Sequence, residues 1–130
     1  MKLNKILETA LYVDDLAKAE DFYCGILGLE KVSETPGRDL FIRCGDSMLL
    51  LFNPEQTKID GGIVPIHGSF GQGHIAFGIP KNDIQDWVKH LNEKGVEIEK
   101  NVVWDERDTS VYFRDPSGNS VELASETLYK

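Results

Sequence analysis

The chain switches between two hydrophobic periods, and it makes the switch twice in the same order. Residues 6–13, ILETALYV, alternate as a strand does, one side chain to each face in turn. Asp14 or Asp15 then offers a helix N-cap. Behind it Leu16, Ala19, Tyr23, Ile26 and Leu27 fall at helical spacing, and Gly28 marks the stop. Three strand-like runs follow, LEKVS, DLFIR and SMLLLF, separated by TPG and CGD turns. The order then recurs. HIAFGIP reads as a strand, and Asn82 and Asp83 as helix starters. Ile84, Trp87, Val88 and Leu91 make an apolar stripe that ends at Gly95, and VEIEKNVVW, SVYFRD and NSVELAS close the set.

DLFIRCGDSMLLL also lies over SVYFRDPSGNSVEL, with Arg43 on Arg114 and Gly45 on Gly118. The pattern predicts a single α+β domain over residues 1–130, built of two βαβββ modules. Module 1 covers about 1–53, a linker 53–72, and module 2 about 73–130. With three Gly and two Pro before Gly71, the linker is longer than a turn and is expected to be an arm, a lid or a plain tether.

Period two also sorts each strand by face. Ile75, Phe77, Ile79, Val111, Phe113, Val121 and Leu123 are expected beneath the helices, which cover one face of such a sheet. The other face collects Glu8, His74, Ser110, Tyr112, Arg114 and Glu122 among Ala10, Ala76, Gly78, Ala124 and Leu49. Carboxylates inside strands are costly when dry and unpaired, by several kcal/mol each on the order of magnitude known for buried ions. A divalent cation held by Glu8, His74 and Glu122 would satisfy all three, and Arg43 and Arg114 are the competing partners for the two acids. Two carboxylates and a neutral imidazole balance such an ion, leaving positions open for a chelating substrate. Mn²⁺, Fe²⁺, Co²⁺, Ni²⁺, Mg²⁺ and Zn²⁺ suit the donors. The metal would act as Lewis acid, Tyr112 as hydrogen-bond donor and Glu8 as general base.

Charge and cysteine usage narrow the partners. A net charge of −8 with no basic patch predicts neither nucleic acid nor an anionic membrane surface. No apolar run is long enough to span a bilayer, and MKLNKILET lacks the apolar core of a signal peptide. Cys24 and Cys44 sit in no metal-binding or redox spacing, so they are expected as reduced, core-lining thiols of a cytoplasmic protein. His67 in the linker and His90 on helix two are expected to face solvent.

ETALYVDDLAKAEDFYCGILGLE, GHIAFGIP and SVYFRDPSGNSVEL, in that order, resemble the vicinal-oxygen-chelate superfamily of glyoxalase I, fosfomycin-resistance thiol transferases, extradiol dioxygenases, methylmalonyl-CoA epimerases and bleomycin-resistance proteins. The resemblance implies an eight-stranded cup-shaped mixed sheet with helices outside, commonly shared between two chains of a homodimer. It implies metal ligands at Glu8, His74 and Glu122, and substrate contacts at Ser110 and Tyr112, with Arg114 beside them. Glu8 stands where the family usually has His, and Leu49 where glyoxalase I has a fourth ligand. Isomerase, lyase, thiol-transfer and dioxygenase chemistries on a small oxygen-chelating substrate stay open. The rival reading is a metal-free protein that binds an antibiotic, as bleomycin-resistance proteins do.

Overall fold

The computed structural model describes all 130 residues, which divide into two compact units, residues 1–71 and 72–130. The fold is mixed α+β. In the first unit β1 (Glu8–Tyr12), β2 (Glu30–Thr35), β3 (Asp39–Cys44) and β4 (Ser47–Phe52) form one sheet in the order β1-β4-β3-β2. In the second, β5 (His74–Ile79), β6 (Lys100–Val103), β7 (Thr109–Arg114) and β8 (Ser120–Ser125) repeat that topology as β5-β8-β7-β6. The first and last strand of each module are parallel and the other pairs antiparallel. The repeat legible in the sequence is therefore a repeat of strand order and direction.

Helix α1 (Leu16–Glu20) starts at Asp15, whose side chain accepts from the Lys18 N–H. Its continuation, Asp21–Ile26, widens to π geometry and ends before Gly28, at φ 78°. Beneath it Ala19, Phe22, Tyr23 and Leu27 pack with Leu11, Leu40, Ile42, Leu49 and Leu51 as the first core. In the second unit a turn of 3-10 helix (Lys81–Asp83) leads into α3 (Ile84–Glu93), which buries Ile84 and Leu91. These cover Val111, Phe113, Val121 and Leu123. Each such side chain fully withdrawn from water contributes about 1.5–3 kcal/mol, so the helix-side face carries the fold and the opposite face is released for chemistry.

Three expectations change. The run VEIEKNVVW forms a strand only over Lys100–Val103, because β6 pairs on one side alone and its residues stay largely exposed. Leu49 does not belong to the polar face. It pairs with Thr9 and Ile42 on the helix side and is 2% exposed. Leu50, opposite Ala10, is the counterpart of Glu122 opposite Ala76. Both leucines are aliphatic, so the fourth ligand position still offers no donor. Third, His67 does not face solvent freely. Its Nδ1 lies 2.8 Å from the Tyr12 hydroxyl, its ring meets Phe52 edge-on at 4.6 Å, and its N–H donates to the Thr57 carbonyl.

The linker is thus partly structured. Asn53 caps a short helix, α2 (Pro54–Thr57), and the chain returns to its own unit at His67. Between these points Ile59, Ile63, Val64 and Ile66 are exposed, as is Phe70 beyond. No helix is long and apolar enough to cross a membrane.

Candidate functional site

The polar face of the second sheet is laid out by its register. One row across the strands reads Lys100, Tyr112, Glu122, Ala76; the row beside it reads Arg114, Ser120, His74. Residues in one row share a face, and neighbouring strands lie about 4.8 Å apart. A concavity of about 400 Å³ opens on this face, lined by Glu99, Lys100, Val102, Tyr112, Arg114 and Ser120.

His74 and Glu122 come together here. His74 Nε2 lies 3.2 Å from Glu122 Oε1, with the imidazole half exposed and the carboxylate buried. The other ring nitrogen, Nδ1, lies 3.1 Å from the Ser120 carbonyl oxygen and 3.2 Å from its hydroxyl. A carbonyl oxygen only accepts, so the tautomer with the proton on Nδ1 satisfies it; the other tautomer would take the Ser120 hydroxyl proton at Nδ1 and donate from Nε2 to Glu122. In the first tautomer Nε2 presents a lone pair to another acceptor. Such a contact is satisfied by a second ring proton or by a cation that both atoms ligate. The donors fit a metal. An imidazole whose remote N–H is spent on a backbone carbonyl is the usual metal-binding arrangement. Two atoms each bonding an ion at about 2.1 Å also lie about 3 Å apart when the bonds meet near a right angle.

The far oxygen, Glu122 Oε2, accepts from Ser110 Oγ at 2.6 Å, and Ser110 Oγ in turn accepts from the Trp104 indole N–H at 2.9 Å. Ser110 is fully buried. Tyr112 stacks beside His74 at 6.3 Å between ring centres. Its phenol is pushed above the ordinary value of 10.0 by burial first, then by the charge of Glu122 and a hydrogen bond to it. The phenol therefore stays protonated well above neutral pH and is a donor, not a base.

The cations differ in freedom. Arg114 does not pair with Glu122; its Nε and Nη2 hold both oxygens of Glu99 at 2.9 and 3.1 Å, and Nη1 donates to the Gly118 carbonyl. Lys100 exerts only a longer-range pull on Glu99. Glu8 begins β1 in the first unit and is exposed. No group of three or more His, Cys, Asp or Glu side chains within the chain stands close enough to hold an ion. Cys24 and Cys44 are unpaired, and burial raises both thiols above 9.0, which makes them poor nucleophiles.

Sequence reasoning singled out His74, Glu122, Ser110, Tyr112 and Arg114, and all five lie on this face. Lys100 and Trp104 went unnoticed. Lys100 sits in an acidic run that reads as a solvated edge, though counting the strand period back from Tyr112 across the hairpin reaches it. Trp104 ends an apolar run, and nothing in the pattern says that its N–H turns inward.

Residues 5–123 match the Glyoxalase/Bleomycin resistance protein/Dioxygenase superfamily. The chain is 45% identical to metallothiol transferase FosB of Staphylococcus epidermidis, over 98% of this chain and 86% of that protein. With the FosB of Staphylococcus saprophyticus it shares 32%, over 97% and 80%. A crystal structure of lactoylglutathione lyase from Agrobacterium tumefaciens superposes with a TM-score of 0.94 at 39% identity, covering 99% of this chain and 98% of that one. The chain belongs to the glyoxalase/bleomycin resistance protein/dioxygenase superfamily.

Proposed function

We propose that this protein is a divalent-metal-dependent transferase that joins a thiol to a small anionic substrate chelated through two oxygens. The observation that carries the reading is the approach of His74 Nε2 to Glu122 Oε1, 3.2 Å apart on the face that bears Tyr112 and Lys100. Likeness to proteins named metallothiol transferases supports thiol transfer over the lyase, isomerase and dioxygenase chemistries of the superfamily.

His74 and Glu122 would hold the ion, with Glu8 as the third donor, contributed by a second copy of the chain in a homodimer. When bound, the ion supplies Lewis-acid polarisation of a substrate oxygen. The remaining work falls to the chain. Lys100, two strands from Glu122 and so about 10 Å away along the sheet, draws the anionic end of the substrate. Tyr112, between them, donates a hydrogen bond to the oxygen on which charge develops. A C–S bond forms as a C–O bond breaks, its electron pair stays on that oxygen, and the oxygen takes up a proton. Glu8, the exposed carboxylate of the set, accepts the proton that the thiol gives up. Two free cysteines suit a reducing compartment, and we place the enzyme in the cytoplasm.

The test is product formation. Protein loaded with Mn²⁺ is incubated with a low-molecular-weight thiol and the epoxide phosphonate fosfomycin, and the mixture is read by mass spectrometry. The expected product has the summed mass of thiol and epoxide, and Glu122→Ala abolishes it. Metal-free protein that retains an organic ligand and forms no adduct with any small thiol overturns the reading in favour of ligand sequestration.

A further inference from the structure

Trp104 is half exposed and lies outside the core, yet its one polar atom points inward. The chain on either side holds it there. The Trp104 backbone N–H donates to the Asp108 carbonyl at 2.9 Å, and Asp105 Oδ1 accepts from the backbone N–H groups of Arg107 and Asp108 at 2.6 and 2.8 Å, closing the turn. An indole N–H can only donate. Ser110 Oγ must therefore accept from Trp104, and its single proton goes to the charged acceptor, Glu122 Oε2 at 2.6 Å, in preference to the neutral Tyr112 hydroxyl that also neighbours it. Polarity along the chain of bonds is thus fixed from the indole to the carboxylate. Without the indole the buried serine hydroxyl loses the donor that holds its oxygen in place, and the bond it makes to Glu122 is no longer fixed in direction.

We propose that Trp104 is a positioning residue for the ion site, acting through Ser110 to lock the Glu122 carboxylate in one orientation with Oε1 presented beside His74. The inference rests on the ion site proposed above and extends it to a residue that touches neither ion nor substrate. Groups in such a supporting position typically alter metal affinity by about 10–100-fold when removed.

The experiment measures Mn²⁺ affinity by titration calorimetry on the full chain as wild type, Trp104→Phe, Ser110→Ala and the double variant, with thermal midpoints recorded alongside. Trp104→Phe keeps an aromatic ring at this position but loses the N–H together with the five-membered ring that carries it, and the thermal midpoint reads the packing lost with it. Its Mn²⁺ affinity is expected to fall by about 10-fold, and that of Ser110→Ala by at least as much. The double variant is expected to be no weaker than Ser110→Ala alone, because the indole has no route to Glu122 except through the serine hydroxyl. Unchanged affinity in Trp104→Phe, with or without a lowered midpoint, overturns the proposal while leaving the ion site standing. Losses that add in the double variant overturn the relay. A wild type that binds no Mn²⁺ removes the ion site and this proposal together.

Discussion

At the scale of single residues, Tyr112 and the Glu99–Arg114 pair show how one sheet face separates a reactive group from a structural one. Burial and the neighbouring Glu122, to which it is hydrogen-bonded, keep the Tyr112 phenol protonated, so its removal should cost a hydrogen bond to developing charge. In Tyr112→Phe, kcat/KM for thiol transfer measured at saturating Mn²⁺ is expected to fall by about 10–100-fold, in keeping with about 1.5–3 kcal/mol for a bond to a charged group. Glu99 behaves differently. Its hydrogen bonds with Arg114 hold the carboxyl below the ordinary 4.5, so the folded state binds its proton less readily than the unfolded chain does. The resulting stabilisation is present above pH 4.5 and fades as pH falls through the depressed folded value. Urea midpoints measured from pH 6 to pH 3 should therefore drop less steeply in Glu99→Gln than in wild type. The difference should shrink in high salt, since the pair is exposed.

At the scale of elements, the turn between β7 and β8 sets where His74 lies. Asp115 Oδ1 accepts from the N–H groups of Ser117 and Asn119, and Asn119 Oδ1 accepts from the Gly73 N–H at 2.7 Å. The Ser120 N–H donates to the Gly73 carbonyl, which fixes β5 against β8 one residue before His74. Gly118 turns at φ 87°, and a Cβ there would meet Gln72 Nε2 at 3.0 Å. Asn119→Ala leaves buried groups without partners and should cost about 2–3 kcal/mol in urea denaturation, with Mn²⁺ affinity reduced as His74 loosens. A change near zero in both would mean that the register is set elsewhere. The sequence shows this hairpin plainly, because Asp, Pro, Gly and Asn are turn chemistry and the flanking strands alternate cleanly. It shows less where tertiary context decides. The widening of the first helix over Asp21–Ile26 carries no residue signal, and the early end of β6 reflects its place at a sheet edge. His67 was misread because a linker histidine gives no sign of meeting Tyr12 and Phe52 in space.

At the scale of the whole molecule, two modules of one topology have kept different chemistries. The first offers Glu8 and aliphatic Leu50; the second offers His74 and Glu122 at equivalent places. The meeting of His74 with Glu122 was legible because strand alternation assigns faces from sequence alone. The place of Glu8, which begins a strand of the other unit, was not, because assembly leaves no mark on strand period. A homodimer with shared sites makes a specific prediction. When Glu8→Ala and Glu122→Ala chains are co-expressed and the mixed dimer is isolated, one of its two sites combines an intact Glu8 with an intact His74 and Glu122. Such a dimer should bind half the Mn²⁺ of wild type, whereas sites built within single chains would leave it with none. The most direct measurement is simpler. Protein purified without chelator or affinity tag is titrated with Mn²⁺, and free ion is counted by electron paramagnetic resonance. The account predicts about one tightly held ion per chain, as three protein donors at one centre imply, and its loss in both His74→Ala and Glu122→Ala variants that keep the wild-type thermal midpoint. Native protein that leaves all the Mn²⁺ free, or variants that hold it as tightly as wild type, would contradict it.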